Sequence, residues 1–157
     1  MKHLLIITSL TILMMLLFAR QVNAQSTRNI HEARNNINIY IGIFDLNLNY
    51  ERNIIKRPKS LSNIRAGFGR GQFVVAGEGY YVNGAFVQLF GAGSSHLELN
   101  AGLKYMITNS ESNPPLSDQL LPDIFVGYRY QKPTGGIILR YGLNYPTLIN
   151  VGVGYQF

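Results

Sequence analysis

The sequence predicts an all-β protein, an eight-stranded antiparallel up-and-down transmembrane β-barrel. Three features predict it: a two-residue alternation of apolar and polar side chains, glycines concentrated on the polar face, and an amphipathic last segment that ends on Phe157. The chain has 157 residues, the size of a single domain. Only 14% of residues are charged and 46% are apolar, which excludes a disordered chain. Without cysteine there is no disulfide framework, thiolate metal site, cysteine nucleophile or lipidated cysteine.

The first residues have the pattern of a secretory signal peptide. Lys2 and His3 precede an apolar run over 4–19, and the small residues Val22 and Ala24 suit cleavage after position 24. The alternative is an uncleaved anchor helix, but the run is shorter than the roughly 20 residues that span a bilayer. We therefore expect three parts, namely a cleaved signal peptide over 1–24, a flexible leader over 25–35 and a barrel over 36–157.

Eight segments of the remaining chain alternate with period two. Because successive side chains of a strand point to opposite faces, each segment has one apolar face and one face of polar residues and glycine. The predicted strands, in order, lie within 37–43, 46–51, 64–69, 85–90, 97–105, 124–131, 137–144 and 149–157. Turn-forming residues separate them at Asp45 and at 57–60, 77–79, 91–95, 109–119, 132–135 and 144–147.

The fourth segment alternates least clearly. There we assign Ala85, Val87 and Leu89 to the apolar face and Gln88 to the polar face.

The composition of the two faces indicates which one meets lipid. Glycine has no reason to collect on a water-facing strand, but inside a narrow eight-stranded barrel it leaves room for larger side chains. The apolar face carries aliphatic residues in mid-strand and tyrosines towards several strand ends, as in a lipid-facing band with aromatic girdles. We therefore expect Ile39, Leu99, Leu139 and Val153 to point outward.

The C-terminal segment is the most specific motif. The segment contains a polar residue, a glycine, an aromatic residue and a final Phe, at Asn150, Gly152, Tyr155 and Phe157. This order resembles the assembly signal of bacterial outer-membrane barrels. The stretches LNYER (48–52, within LNLNYER), LELNAG (97–102) and GYRYQ (127–131) are also similar to a small, eight-stranded, OmpA/OmpX-like barrel family. The resemblance implies a Gram-negative outer-membrane location and no assigned activity.

Six ionisable residues share the predicted inner face. They carry four positive and two negative charges, and buried charges must be paired or hydrated. We expect a charge network that fills the lumen, with a cation-rich, anion-selective pore as the alternative. The six residues are Glu51, Arg65, Glu98, Lys104, Arg129 and Arg140.

The case for catalysis is weak. Two histidines, His31 and His96, remain after cleavage, and they cannot build a multi-histidine metal site. His96 and Glu98, with Ser94 or Ser95 nearby, are the residues of a conceivable lipid-modifying enzyme. A turn histidine is the simpler interpretation.

These features predict a monomeric, non-enzymatic outer-membrane protein of structural or surface-interaction type, without a cofactor. The expected partners are outer-membrane lipids, including lipopolysaccharide, and the barrel-assembly machinery. The basic run 56–59 is placed in a periplasmic turn, and no nucleic-acid module is present in the sequence. A soluble, secreted lipocalin-like barrel with its polar face outward is the remaining alternative.

Overall fold

The computed structural model describes residues 34–73, 77–109 and 120–157, which form strands and turns without a helix. Each strand pairs antiparallel with the next, and the first also pairs with the eighth, so the sheet closes on itself. The predicted all-β class and the eight-stranded antiparallel barrel are confirmed. The strands are β1 (Asn35–Gly42), β2 (Asp45–Arg57), β3 (Ser60–Phe73), β4 (Gly77–Phe90), β5 (Ser95–Asn109), β6 (Leu120–Gln131), β7 (Gly136–Tyr145) and β8 (Leu148–Gln156).

The N-terminal predictions fall largely outside the described residues. The signal peptide over 1–24 lies outside them, as does the leader except for its last two residues. Of those two, Asn35 already belongs to β1. Within the described ranges, no helix is long and apolar enough to cross a membrane.

The two ends of the barrel differ in their connections. At one end, called the terminal end, lie Arg34, Phe157 and the turns 58–59, 91–94 and 132–135. At the opposite end, called the loop end, lie the connections 43–44 and 146–147 and the strand ends Phe73, Gly77, Asn109 and Leu120.

Two predicted turns at the loop end belong to strands. Residues 77–79 are part of β4, because Gly77 pairs with Phe73 and Gly79 with Gly71. Asp45 is the first residue of β2 and is buried. Its carboxylate bonds inside the barrel, so the connection between β1 and β2 is limited to residues 43 and 44.

The barrel is apolar outside and ionic inside. Among the described residues, 34 large apolar side chains are exposed and nine are buried. Ile39 and Val153 are 46% and 52% exposed, whereas Glu98 and Arg129 are fully buried. This is the predicted orientation of the two faces.

Inner-face glycines make room for large neighbours, as predicted. A Cβ added at Gly69 would lie 2.6 Å from the ring of Tyr81, and one at Gly67 would collide with the side chains of Asn49 and Asn83. These glycines therefore set how much side-chain volume the lumen can hold.

The assignment of the β4 faces was wrong. Val87 and Leu89 are fully buried in the barrel, whereas Phe86 and Phe90 are exposed, so Gln88 points outward with them. There Gln88 accepts a 2.8 Å hydrogen bond from the Ser62 hydroxyl, which satisfies its carbonyl on the outer wall. Apolar residues on both faces of this segment leave no clear two-residue signal, which explains the error.

Candidate functional site

The candidate site is the set of charged side chains inside the barrel. All six predicted lumen residues lie there, each at most 4% exposed. They come from five strands around the lumen: Glu51 from β2, Arg65 from β3, Glu98 and Lys104 from β5, Arg129 from β6 and Arg140 from β7.

Glu51 is the centre of the first cluster. Arg65 donates to its Oε2 from Nε at 2.9 Å and from Nη2 at 2.7 Å. Arg129 Nη1 and Asn63 Nδ2 donate to Oε1 at 2.7 and 2.5 Å. This one carboxylate therefore holds two guanidinium groups from opposite walls.

Glu98 extends the same cluster. Its Oε1 accepts a 2.7 Å hydrogen bond from Arg65 Nη2 and lies 3.2 Å from Arg140 Nη2. Its Oε2 is 3.7 Å from Arg129 Nη1. The two glutamates thus share Arg65 and Arg129, and the five residues form one continuous network.

Arg140 is also held by aromatic rings. Its guanidinium carbon lies 3.7 Å from the centre of the Phe125 ring and 4.0 Å from that of Tyr40. A cation over an aromatic face is stabilised by the ring quadrupole, and more strongly when it is desolvated. Both rings are buried, so they fill the lumen around the network.

Lys104 belongs to a second cluster rather than to the predicted network of six. Its Nζ donates to Asp45 Oδ2 at 2.9 Å and lies 3.8 Å from Asp123 Oδ1. The hydroxyl of Tyr81 also donates to Asp45 Oδ2, at 2.7 Å. Neither aspartate was among the predicted lumen residues.

With these aspartates included, the lumen is electrically balanced. Among the described residues, four cationic and four anionic side chains are buried. The sequence-based set had an excess of two positive charges, which was the basis of the anion-pore alternative. The set of buried charges in the described structure has no such excess.

The described charged groups border a small cavity. A cavity of about 10 Å³ lies between the two clusters, bordered by Tyr40, Arg65 and Lys104 among others. That is roughly the space of one water molecule. Nearer the loop end, Phe73, Tyr81, Met106 and Leu121 form a buried apolar cluster. Side chains therefore fill this part of the lumen.

Two residues of the conceivable lipid enzyme, Ser95 and His96, point to opposite faces of the barrel wall. His96 is buried on the inner face, whereas the Ser95 hydroxyl pairs at 2.8 Å with that of Tyr128 on the other face. Glu98 is engaged by the arginines of the network. Within the described part of the chain, no group of three or more His, Asp or Glu residues could hold a metal ion.

The C-terminal motif forms the closing strand. β8 pairs with both β7 and β1, and Phe157 exchanges backbone hydrogen bonds with Asn35 at 2.8 and 3.0 Å. Asn150 is buried, whereas Tyr155 and Phe157 point outward. Gly152 lies against Tyr40, and a Cβ there would also meet Arg140 at 2.9 Å.

No family model, curated protein or solved structure matches the chain. The resemblance to small outer-membrane barrels therefore stays a prediction.

Proposed function

We propose that the chain is an integral outer-membrane β-barrel protein of structural or surface-interaction type, without catalytic activity. The observation that carries the proposal is the reversed partition of the barrel, with an apolar outer wall and an ion-paired interior. In water the hydrophobic effect favours the opposite arrangement, whereas in a bilayer the outer wall is in contact with acyl chains.

The closed sheet supports the same proposal. A strand in hydrocarbon can satisfy its backbone hydrogen bonds only if no edge remains open. The pairing of β1 with β8 leaves none. Exposed tyrosines lie near both ends of the barrel: Tyr50 and Tyr155 near the terminal end, and Tyr105 and Tyr145 near the loop end. They suit two interfacial aromatic girdles.

The connections suggest an orientation. Outer-membrane barrels have short periplasmic turns and longer extracellular loops. The longest stretch of sequence between two strands separates Asn109 from Leu120, and both of these strand ends lie at the loop end. We therefore place the terminal end in the periplasm and the loop end outside the cell. In this setting, lipopolysaccharide surrounds the outer half of the barrel, and the assembly machinery receives β8 during insertion.

The interior favours a structural role over transport. Among the described residues, a balanced set of ion pairs around a water-sized cavity supports a lumen filled by side chains rather than one that selects an anion. The soluble lipocalin-like alternative requires the polar face outward, whereas here that face lines the lumen.

The test is to express the full chain in a Gram-negative bacterium and separate its membranes. We expect the protein in the outer-membrane fraction, with a gel mobility that changes on boiling because a closed barrel resists detergent until it is heated. Recovery in the soluble periplasmic fraction, with the same mobility before and after boiling, would overturn the proposal.

A further inference from the structure

The terminal end contains a cavity separate from the charge network. Its volume is about 520 Å³, within the range of small-molecule sites. His96 and Gln131, both nearly fully buried, are among the residues that line it. Nδ1 of His96 has no hydrogen-bond partner among the described residues.

The cavity is basic. Arg34, Lys56 and Arg57 line it, and the described residues of its lining include no aspartate or glutamate. All three cationic side chains are exposed to solvent. Guanidinium groups favour phosphate oxygens, because their donors match the geometry of the anion.

Part of the lining is apolar. Ile54 and Leu61 face the cavity beside the cations, together with two proline rings. A cavity with a cationic rim and aliphatic wall suits an amphiphile with a phosphate group better than a fully hydrated ion.

The surrounding surface has the same sign of charge. The exposed charged residues described at the terminal end are all cations: Arg34, Arg52, Lys56, Arg57, Lys59 and Lys132. Glu78 is at the loop end, where it pairs with Arg70. Charge of one sign around a concave site raises the local concentration of oppositely charged ligands.

From these observations, we infer that the cavity at the terminal end binds a phosphate-bearing anionic ligand. The inference does not depend on the membrane location, because the cavity is a property of the closed barrel. The source of the phosphate is either a lipid headgroup or a free phosphate ester, and the experiment separates the two.

The test uses the full chain refolded in octyl glucoside and titrated calorimetrically at low ionic strength. The probes are dihexanoyl phosphatidylglycerol, dihexanoyl phosphatidylcholine and glycerol 1-phosphate. We expect phosphatidylglycerol to bind at least about tenfold more tightly than phosphatidylcholine, whose headgroup is zwitterionic. Glycerol 1-phosphate binding as tightly as phosphatidylglycerol would support the site and identify a free phosphate ester as its ligand. Weaker binding of glycerol 1-phosphate would identify the lipid.

Matched variants locate the site. Arg34→Gln/Arg57→Gln removes two charges from the cavity, and Arg52→Gln/Lys59→Gln removes two charges from the same end outside it. We expect the first variant to lose about tenfold in affinity and the second less than about twofold. Equal losses in both variants, or no binding by the unmodified chain, would overturn the inference. The heat-dependent mobility of each sample shows independently that the barrel has folded.

Discussion

The ammonium group of Lys104 lies 2.9 Å from Asp45 Oδ2, although 59 positions separate the two residues in the chain. The pair joins β5 to the start of β2, and both side chains are almost completely buried. Its burial makes it a sensitive point for the stability of the barrel, because an ion left alone there has little access to water.

Asp45→Asn should lower the free energy of unfolding by about 3 kcal/mol, because Lys104 then loses the carboxylate at 2.9 Å and keeps the longer pair with Asp123 at 3.8 Å. The measurement is urea unfolding of the refolded barrel in micelles. Glu78→Gln is the control, since its pair with Arg70 is more than half exposed and should be worth less than about 1 kcal/mol. Similar losses in both variants would contradict the distinction between buried and exposed pairs.

Glu51→Gln should be more destabilising than Glu98→Gln, with a loss of about 3–5 kcal/mol. Glu51 accepts two hydrogen bonds from Arg65 and one each from Arg129 and Asn63. Glu98 accepts one from Arg65 at 2.7 Å, and its contacts with Arg140 and Arg129 are longer, at 3.2 and 3.7 Å. The two substitutions are chemically identical, so each serves as the control for the other in the same unfolding assay. A larger loss of stability for Glu98→Gln would show that Glu98, and not Glu51, is the centre of the network.

Gly69→Ala should destabilise the barrel by about 1–3 kcal/mol, because the added methyl group meets the ring of Tyr81 and the carbonyl of Leu46. Gly84→Ala is the matched control, since its methyl group would point outward, with its nearest neighbour 3.9 Å away. We expect the control to change stability by less than about 1 kcal/mol. The temperature at which the gel mobility shifts reports the stability of each variant. A barrel equally sensitive at the two positions would show that the lumen is not tightly filled.

Val126→Arg tests the outer wall. Val126 is exposed between Leu99 and Leu143 in mid-strand, whereas Leu120 is exposed at the first residue of β6. In lipid vesicles, arginine at the middle position should cost about 2–4 kcal/mol, and Leu120→Arg about 0–1 kcal/mol. Folding into vesicles followed by denaturant titration gives both values. If both variants fold as well as the unmodified chain, this wall does not face hydrocarbon.

The alternation of side chains was sufficient to predict the strand number and the direction of most faces. It failed where it was weak, in β4. Asn83 is buried and has the same parity as Val87 and Leu89, so extending the pattern back to this residue would have given the correct face.

The missed lumen aspartates have a similar explanation. Asp45 continues the parity of Asn47 and Glu51, and Asp123 continues that of Arg129. Asp45 was predicted to lie in a turn, and Asp123 directly precedes the predicted sixth strand, although β6 already begins at Leu120. The division of the charges into two clusters depends on which strands face each other across the lumen, and no local pattern encodes that.

The hydrogen bond between Arg129 and Glu51 spans 78 positions and connects β6 with β2. Glu51 has Arg65 as a counterion within the β2–β3 hairpin, but its bond to Arg129 can form only when β6 lies across the lumen from β2. If the barrel inserts into a membrane as proposed, strands that enter the bilayer before closure would carry an incomplete set of ion pairs. The network therefore favours closure in which strands far apart in the chain come together in one step.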